Sequence, residues 1–268
     1  MQGYDINTYG DAFADVYDDW YGEVSDVAAT VDCLGQLTAT PSAASRSDVA
    51  DRRVLELGVG TGRLAIPLAE RVWPARVIGL DSSSAMLDRL AANQSHLDPS
   101  RQVQVARADM VDDQPSGPFD VVFVAFNTFF NLGTAERQQA CVRGVASRLA
   151  PGGVFVVEAD VPEQPAQTGS HVEVRSITAD RVVLSVARYD GDRNQAEGQF
   201  VELTESGGVR LRPWSIRYVA PAELDAMATA AGLVLSARWE DFAKRPFSTD
   251  SGRHVSVYAR AVLDRVGD

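Results

Sequence analysis

Residues 53–62 read Arg-Val-Leu-Glu-Leu-Gly-Val-Gly-Thr-Gly, and this stretch decides the fold. Its aliphatic half predicts a strand that ends at Gly58, and a helical pattern opens at Arg63. The three glycines allow backbone conformations that are closed to other residues, and they leave room for a ligand to come close. The helix behind them offers unpaired N–H groups and a partial positive charge. The stretch therefore predicts a nucleotide-binding turn at the carboxyl end of a strand.

Two details indicate which nucleotide the turn binds. Its spacing is Gly-x-Gly-x-Gly, whereas dinucleotide binders carry Gly-x-Gly-x-x-Gly around a pyrophosphate. Glu56, two residues before Gly58, would repel a pyrophosphate but suits a cationic ligand. The next aliphatic run ends in Asp81, where a carboxylate can accept hydrogen bonds from both ribose hydroxyls. Together these features predict adenosine with a short charged tail, as in S-adenosylmethionine.

Five motifs, in this order, resemble those of the class I S-adenosylmethionine-dependent methyltransferases. The resemblance covers roughly residues 51–160 and implies S-adenosyl-L-methionine as cofactor and S-adenosyl-L-homocysteine as product. A dehydrogenase-type Rossmann domain with a degenerate loop is the competing interpretation. The motifs are Glu-Leu-Gly-Val-Gly-Thr-Gly (56–62), Gly-Leu-Asp-Ser-Ser-Ser-Ala-Met-Leu (79–87), Ala-Asp-Met (108–110), Phe-Asp-Val-Val-Phe (119–123) and Leu-Ala-Pro-Gly-Gly (149–153).

Short aliphatic strands that alternate with helices predict an α/β fold with a Rossmann-like, doubly wound sheet. A helix is expected to begin at Pro221 and to end at Gly232. The resemblance implies seven strands, with an antiparallel last strand in a hairpin formed by 233–241 and 254–262. The other strands are expected near 53–57, 76–80, 102–106, 119–124 and 153–159, and the other helices near 62–72, 83–94 and 134–149.

The chain is predicted to have four parts. Residues 1–50 form an N-terminal helical cap, and residues 51–160 form the cofactor-binding core. Residues 161–220 alternate in polarity between turn clusters, which predicts an inserted antiparallel β-meander of about four strands over the active site. Residues 221–268 return to the core fold.

Aromatic residues at helical spacing dominate the predicted cap. Phe13, Tyr17, Trp20 and Tyr21 line one side of a helix, with Tyr9 one turn earlier. This helix could pack on the edge of the sheet, but ring faces and hydroxyls also suit a sulfonium cation. Residues 9–21 resemble the opening of small-molecule methyltransferases, including those that act on amino sugars. We therefore expect the cap to close over the cofactor and substrate.

The predicted cofactor site combines the glycine turn, the tips of the following strands and the cap. The resemblance implies that Asp109 binds the adenine amino group, while Glu56 is expected to meet the amino group of the cofactor. Met86 either covers the adenine or belongs to the core. The full set is Tyr9, Trp20, Glu56, Gly58, Gly60, Gly62, Asp81, Ser82, Met86, Asp109, Met110 and Phe126.

The substrate side is less specific in sequence. Residues 126–132 replace the acidic-Pro-Pro-aromatic motif of DNA and protein-amide N-methyltransferases, so that mechanism is excluded. The predicted substrate contacts are Asn127, Phe130, Trp214 and Tyr218, with Trp239 and Phe242 as further apolar walls. Tyr17, Tyr21 and His171 are the catalytic candidates, and Glu158 and Asp160 are other groups that could act as a base.

Composition limits the partners. A net charge of −12 over 268 residues argues against a nucleic-acid substrate and favours a small molecule. With two cysteines, three histidines and no Cys/His cluster, no metal site is expected, and Cys33 and Cys141 are predicted as buried thiols. No apolar run approaches the roughly 20 residues of a membrane span, and no leader is evident, so we expect a cytoplasmic protein. A homodimer is one option that the sequence leaves open.

Three functions remain at this point. The first is in-line methyl transfer to nitrogen or oxygen of a small metabolite, for which the resemblance indicates bacterial secondary metabolism. The second is methylation at carbon of an electron-rich aromatic such as an indole. The third is a binding module or cyclase that keeps the cofactor fold without transferring methyl groups.

Overall fold

The computed structural model describes residues 1–22, 24–40, 48–163 and 166–260. A seven-stranded sheet forms its centre, with the strand order β10-β11-β5-β4-β1-β2-β3. Strand β11 runs antiparallel to both of its neighbours, whereas β1 to β5 are parallel. The predicted Rossmann-like sheet with its antiparallel last strand is therefore confirmed. These strands are β1 (Arg53–Leu57), β2 (Arg76–Asp81), β3 (Gln104–Arg107), β4 (Phe119–Val124), β5 (Leu149–Asp160), β10 (Leu233–Trp239) and β11 (Arg253–Arg260).

Seven helices lie in the part of the chain that is described, and side-chain caps fix several of their starts. The Ser83 hydroxyl accepts a hydrogen bond from the Met86 N–H at the start of α5, and Asp26 caps α3 in the same way. The glycine turn extends to Leu64, so α4 begins later than the sequence predicted. The helices are α1 (Thr8–Phe13), α2 (Tyr17–Tyr21), α3 (Val27–Ala39), α4 (Ala65–Val72), α5 (Ser84–Asn93), α6 (Ala135–Arg148) and α7 (Pro221–Ala230).

Two apolar layers cover the sheet. Alternate residues of β1 face opposite sides, so Leu55 packs in one layer and Val54 in the other. Phe242 is buried in the second layer, and Trp239 packs against that layer. These two residues therefore help to form the core, which the sequence had left open as an alternative to a place on the wall of the substrate pocket.

The N-terminal cap is built from two short helices, where the spacing had predicted one. Within each helix the aromatic pairs stack as expected: Tyr9 on Phe13 at 4.3 Å, and Tyr17 on Tyr21 at 5.0 Å between ring centroids. The chain turns between them at residues 14–16. Arg212 binds this turn, because its guanidinium donates hydrogen bonds to the Ala12 carbonyl and to Asp15. A contact distant in sequence thus interrupts the helix.

A separate antiparallel sheet forms the predicted meander. Its strands are β6 (Gly169–Ile177), β7 (Arg181–Asp190), β8 (Gln195–Thr204) and β9 (Val209–Arg217), paired in that order. Phe200 of β8 meets Phe13 and Trp20 of the cap edge-on, so the cap packs beneath this sheet. The end of the predicted last strand, residues 261–262, lies outside the described residues.

Candidate active site

The glycine turn joins β1 to the helix behind it and approaches the tip of β2. Gly58 and Gly60 have φ of +70° and +54°, a region that favours glycine. A Cβ on Gly58 would lie 2.3 Å from the Thr128 side chain, so the turn sits tightly under the loop after β4. Gly62 faces Ile66 and Leu90, where a Cβ would collide with both side chains. Its lack of a side chain therefore serves helix packing, and it is Gly58 and Gly60 that line the cavity.

Asp81 lies at the tip of β2, and both of its carboxylate oxygens accept hydrogen bonds from backbone N–H groups. Oδ2 accepts a hydrogen bond from the Gly60 N–H and Oδ1 accepts one from the Ser83 N–H, each at 2.9 Å. Burial raises the pKa of Asp81, while these bonds lower it. Each oxygen keeps a lone pair toward the cavity, which suits two adjacent hydroxyls of a ribose.

Glu56, two residues before Gly58 on β1, carries an unsatisfied group, although it is not among the residues that line the cavity. The residue is 5% exposed, and its Oε2 is buried with no hydrogen-bond partner among the described residues. Burial raises the pKa of Glu56 well above its usual value, and the nearby Arg63 opposes that shift. A buried acceptor without a partner costs free energy, so the site is complete only when a donor arrives. An ammonium group on the ligand would provide one.

The far end of the cavity is lined by Ala108, Asp109 and Met110. The Asp109 carboxylate already accepts two hydrogen bonds from Arg137, at 2.7 and 2.8 Å, and one each from the N–H groups of Val111 and Asp112. Its Oδ2 retains one acceptor position for an adenine amino group. Arg137 also lines the cavity, and a lone arginine in a helical pattern gave no signal of this in the sequence.

Tyrosines of the N-terminal segment close the cavity from above. Tyr4, Tyr9 and Tyr17 line it together with Met86. Burial raises the pKa of Tyr9 and of Tyr17, so both phenols stay neutral at physiological pH. Trp20 lies away from this cavity, since it packs edge-on against Phe200 beneath the meander.

Polar side chains fasten the cap to the cofactor-binding core. The Ser83 hydroxyl donates to Asp11 and the Thr61 hydroxyl donates to Asp18, each at 2.6 Å. The hydroxyl of Ser82, a predicted cofactor ligand, donates a hydrogen bond to the carbonyl oxygen of Ile6 at 3.0 Å. The sequence gave no indication of these pairs, because each joins residues that are far apart in the chain.

The loop after β4 holds two residues in the left-handed region, Phe126 at φ +48° and Asn127 at φ +62°. The Phe126 N–H donates to Glu158 Oε2 at 2.9 Å. Asn127 exchanges two hydrogen bonds with Asp160, at 2.7 and 2.8 Å. Two carboxylate residues at the end of β5 thus fix the loop, and the ring of Phe126 lies 5.7 Å from that of Tyr21. The amide oxygen and nitrogen of Asn127 are therefore both hydrogen-bonded within the protein, to Asp160.

The remaining predicted residues are spread over several places. Phe130 is 1% exposed and packs in the core against Tyr218. Tyr218 also lines a neighbouring cavity with Asp160 and Tyr189, and burial raises its pKa to about 12. His171 is exposed on β6 and interacts with the Thr168 carbonyl, away from the cofactor cavity. Trp214 packs against Phe200 beneath the meander.

Comparison with known proteins identifies the family. Residues 54–153 match a family model described as a methyltransferase domain. The cypemycin N-terminal methyltransferase of a Streptomyces species is 31% identical over 252 residues, which covers 91% of this chain and 98% of that protein. The chain belongs to the class I S-adenosylmethionine-dependent methyltransferases. The dehydrogenase interpretation is thereby excluded.

Solved structures agree with this assignment. The CcbJ methyltransferase from Streptomyces caelestis superimposes on this methyltransferase with a TM-score of 0.82 at 38% identity, covering 96% of this chain and 100% of that one. Streptomyces venezuelae DesVI gives a TM-score of 0.66 at 26% identity over 92% and 98% of the two chains. This methyltransferase is therefore an enzyme that uses S-adenosylmethionine and acts on small molecules.

No helix in the described ranges has both the length and the apolar character that crossing a bilayer requires.

Proposed function

We propose that the enzyme methylates the nitrogen of a small amine bound between the cap and the meander. The observation that carries this proposal is the character of the wall beside the cofactor cavity: neutral tyrosines and aromatic rings. Burial keeps the pKa of Tyr9 and Tyr17 high, so neither is a base at neutral pH. Of the histidines, His96 and His171 are exposed and His254 is in the core. A neutral amine needs no base before attack, whereas an alcohol does.

The cofactor would be held by the chain's own polar groups. Glu56 would bind its ammonium group, Asp81 its ribose and Asp109 its adenine, while Met86 and Met110 would supply apolar contact. When bound, S-adenosylmethionine supplies an electrophilic methyl group. The protein would hold the acceptor nitrogen in line with that group and exclude water, with Phe126, Tyr17 and Tyr21 as walls.

The relatives support nitrogen as the acceptor atom. The name of the cypemycin N-terminal methyltransferase places its reaction at a peptide amino terminus. Methylation at carbon and a non-methylating role are not favoured by these comparisons. Oxygen remains consistent with the family, and experiment separates it from nitrogen.

Matched amines and alcohols test the proposal. A panel of small amines and the corresponding alcohols would be incubated with enzyme and cofactor, and the methylated products identified by mass spectrometry. Amines alone should be methylated, with a rate that rises up to the pKa of the amine and then stays level. Tyr17→Phe should retain this pH profile, because the phenol is not a base. Methylation of alcohols in place of amines would overturn the proposal.

Asp81 gives a direct test of the cofactor site. Asp81→Asn should weaken binding of S-adenosyl-L-homocysteine by about tenfold or more, since an amide cannot accept both ribose hydroxyls and the Gly60 and Ser83 N–H groups. Calorimetry measures the affinity. Asp88→Asn, on the exposed side of α5, is the control and should bind as the wild type does.

The setting of the reaction is also a proposal. Cys33 and Cys141 are buried free thiols, which is in keeping with a reducing cytoplasm. Relatives from Streptomyces support a role in bacterial secondary metabolism. Light scattering in solution would test whether the enzyme forms a homodimer.

A further inference from the structure

Arg175 of β6 lies over the aromatic cluster between cap and meander. Its guanidinium carbon is 4.7 Å from the Trp20 ring centroid, 5.2 Å from that of Tyr21 and 4.7 Å from that of Phe200. No carboxylate of the described residues pairs with it, whereas Arg181 and Arg188 of the neighbouring strand both form ion pairs. The residue is exposed. The guanidinium over these rings thus presents N–H donors that no described residue accepts.

The backbone of β6 sets the position of this side chain. Val174 pairs with Leu184 and Ser176 pairs with Val183, so Arg175 is the extra residue of a β-bulge. A bulge interrupts the alternation of a strand and redirects one side chain, and bulges are frequent beside active sites. The guanidinium is therefore placed on the three rings by a feature of the fold.

A second donor without a partner adjoins Phe200, one of these three rings. Nε1 of Trp214 is buried and has no hydrogen-bond partner among the described residues. The indole packs against Phe200 at 6.4 Å and covers Gly198, where a Cβ would lie 2.6 Å from its ring. Because a buried indole N–H usually finds an acceptor, its isolation points to a group that arrives with a ligand.

Arg175 lies close to the proposed site of methyl transfer, and Trp214 packs against the apolar cluster that contains Tyr21 and Met86. Tyr21, one of the rings beneath Arg175, is 5.0 Å from Tyr17, and Tyr17 lines the cofactor cavity. Tyr21 is also 5.7 Å from Phe126. The guanidinium is therefore one aromatic ring away from the walls of the reaction site.

We propose that the acceptor is an amine that carries a carbonyl oxygen near the methylated nitrogen, and that Arg175 and Trp214 bind this oxygen. The inference rests on the proposed N-methyltransferase function and specifies its substrate class. A carboxylate could accept two parallel N–H hydrogen bonds from the guanidinium, and an amide carbonyl could accept one N–H from each residue. The aromatic rings would hold the apolar part of the acceptor.

Arg175 could instead act only as a clamp, because Trp20 and Tyr21 belong to the cap and Phe200 to the meander. A clamp would act through closure of the cap. Its loss would weaken the binding of S-adenosyl-L-homocysteine and of every acceptor by similar factors. A carbonyl-binding residue would affect only the acceptors that carry the oxygen.

Three probes separate these roles. L-phenylalanine, L-phenylalaninamide and 2-phenylethylamine share a ring and an amine, and they differ in the oxygen on the neighbouring carbon. Their binding to enzyme saturated with S-adenosyl-L-homocysteine would be measured by calorimetry. Wild-type enzyme should bind at least one of the first two about tenfold or more tightly than 2-phenylethylamine. Whether the acid or the amide binds more tightly tells which kind of oxygen the site prefers.

Variants assign the preference to residues. Arg175→Ala should remove most of the tenfold preference, with little change for 2-phenylethylamine or for S-adenosyl-L-homocysteine. Trp214→Phe keeps a ring but lacks the N–H, and should reduce the preference by about threefold or more. Arg188→Ala, an exposed arginine of the same sheet, should leave all affinities unchanged.

Two results would overturn the inference: absent or equal binding of the three probes by wild-type enzyme, or a uniform loss in Arg175→Ala that includes S-adenosyl-L-homocysteine. The panel of amines and alcohols tests the proposed function independently of this inference. If no amine of the panel is methylated, nitrogen methylation is wrong. If amines are methylated irrespective of a carbonyl, only the substrate class is wrong.

Discussion

Glu56 shows how one residue couples burial to ligand charge. In the ligand-free protein, burial favours its neutral form and raises its pKa. An ammonium group beside Oε2 would favour the ionised form. Cofactor binding and loss of a proton from Glu56 are therefore linked.

This linkage predicts a proton signal. At pH values below the raised pKa of Glu56, binding of S-adenosyl-L-homocysteine should release a proton from this residue, and the affinity should increase as the pH rises toward that pKa. Calorimetry in buffers of different ionisation enthalpy measures that release. Glu56→Gln should bind S-adenosyl-L-homocysteine more weakly and should release no proton on binding. Equal release by wild type and variant would assign the proton to another group.

Asn127 makes a prediction about backbone strain. Its φ of +62° is tolerated by asparagine and glycine, but it costs about 1 kcal/mol for other residues. Asn127→Ala should therefore be less stable than Asn127→Gly by about that amount, although both lose the bonds to Asp160. Urea unfolding measures the difference. Equal stability of the two variants would mean that the loop relaxes.

At the scale of elements, the cap is attached on two sides. Helices α1 and α2 bind the core through Asp11 and Asp18, and the turn between them binds the meander through Asp15. Arg212 is 1% exposed and forms ion pairs with Asp15 and Glu202. Its guanidinium carbon lies 5.3 Å from the ring centroid of Trp20. A buried guanidinium with two carboxylate partners fixes the orientation of the elements it joins.

Loss of one partner should loosen the cap selectively. In Asp15→Asn both ion pairs of Asp15, with Arg210 and with Arg212, are removed, while Arg212 keeps Glu202. We expect faster hydrogen exchange across residues 8–21 and faster release of S-adenosyl-L-homocysteine, with the core strands unchanged. Mass spectrometry of exchange and stopped-flow release measure these effects. Asp19→Asn, at an exposed position of α2, is the control, and equal exchange in the two variants would contradict this role.

At the scale of the whole molecule, a polar cluster lies within the C-terminal strands. His254 is fully buried, and its Nδ1 shares a hydrogen bond with Ser256 at 2.8 Å. Burial lowers its pKa to about 4, with the Arg238 charge acting in the same direction and Asp225 against it. Between about pH 4 and pH 6.5, His254 is therefore protonated in the unfolded chain and neutral in the folded protein.

Global stability should reflect this residue. The contribution of neutral His254 is fully present above pH 6.5 and is lost as the pH falls toward 4, up to about 3 kcal/mol. Urea unfolding at pH 7 and pH 4.5 measures the loss, which should be smaller in His254→Gln. His96→Gln, at an exposed position, should behave as the wild type does. If His254→Gln lost as much unfolding free energy as the wild type between pH 7 and pH 4.5, the loss would be due to carboxylates.

Much of the site at the tips of β1 and β2 could be predicted, because a tight turn and a strand tip depend on local sequence. Gly58, Gly60 and Asp81 lie together as expected. The substrate side was harder, since aromatic residues serve cores and pockets equally. Phe130 therefore proved to be core, and Arg175 was missed because an arginine in a strand has no distinctive pattern.

The sequence by itself determined the alternation of strands and helices and the glycine turn, because hydrophobic periodicity and turn residues act over a few neighbours. Its resemblance to a known family implied the seven strands and the antiparallel last one. Tertiary structure alone decided that the cap is two helices, that Asn127 is tied to Asp160, and that Arg175 rests on three rings from two elements. The physical reason is range. Ion pairs, stacking and close packing join residues far apart in the chain, and only the folded backbone brings them within contact distance.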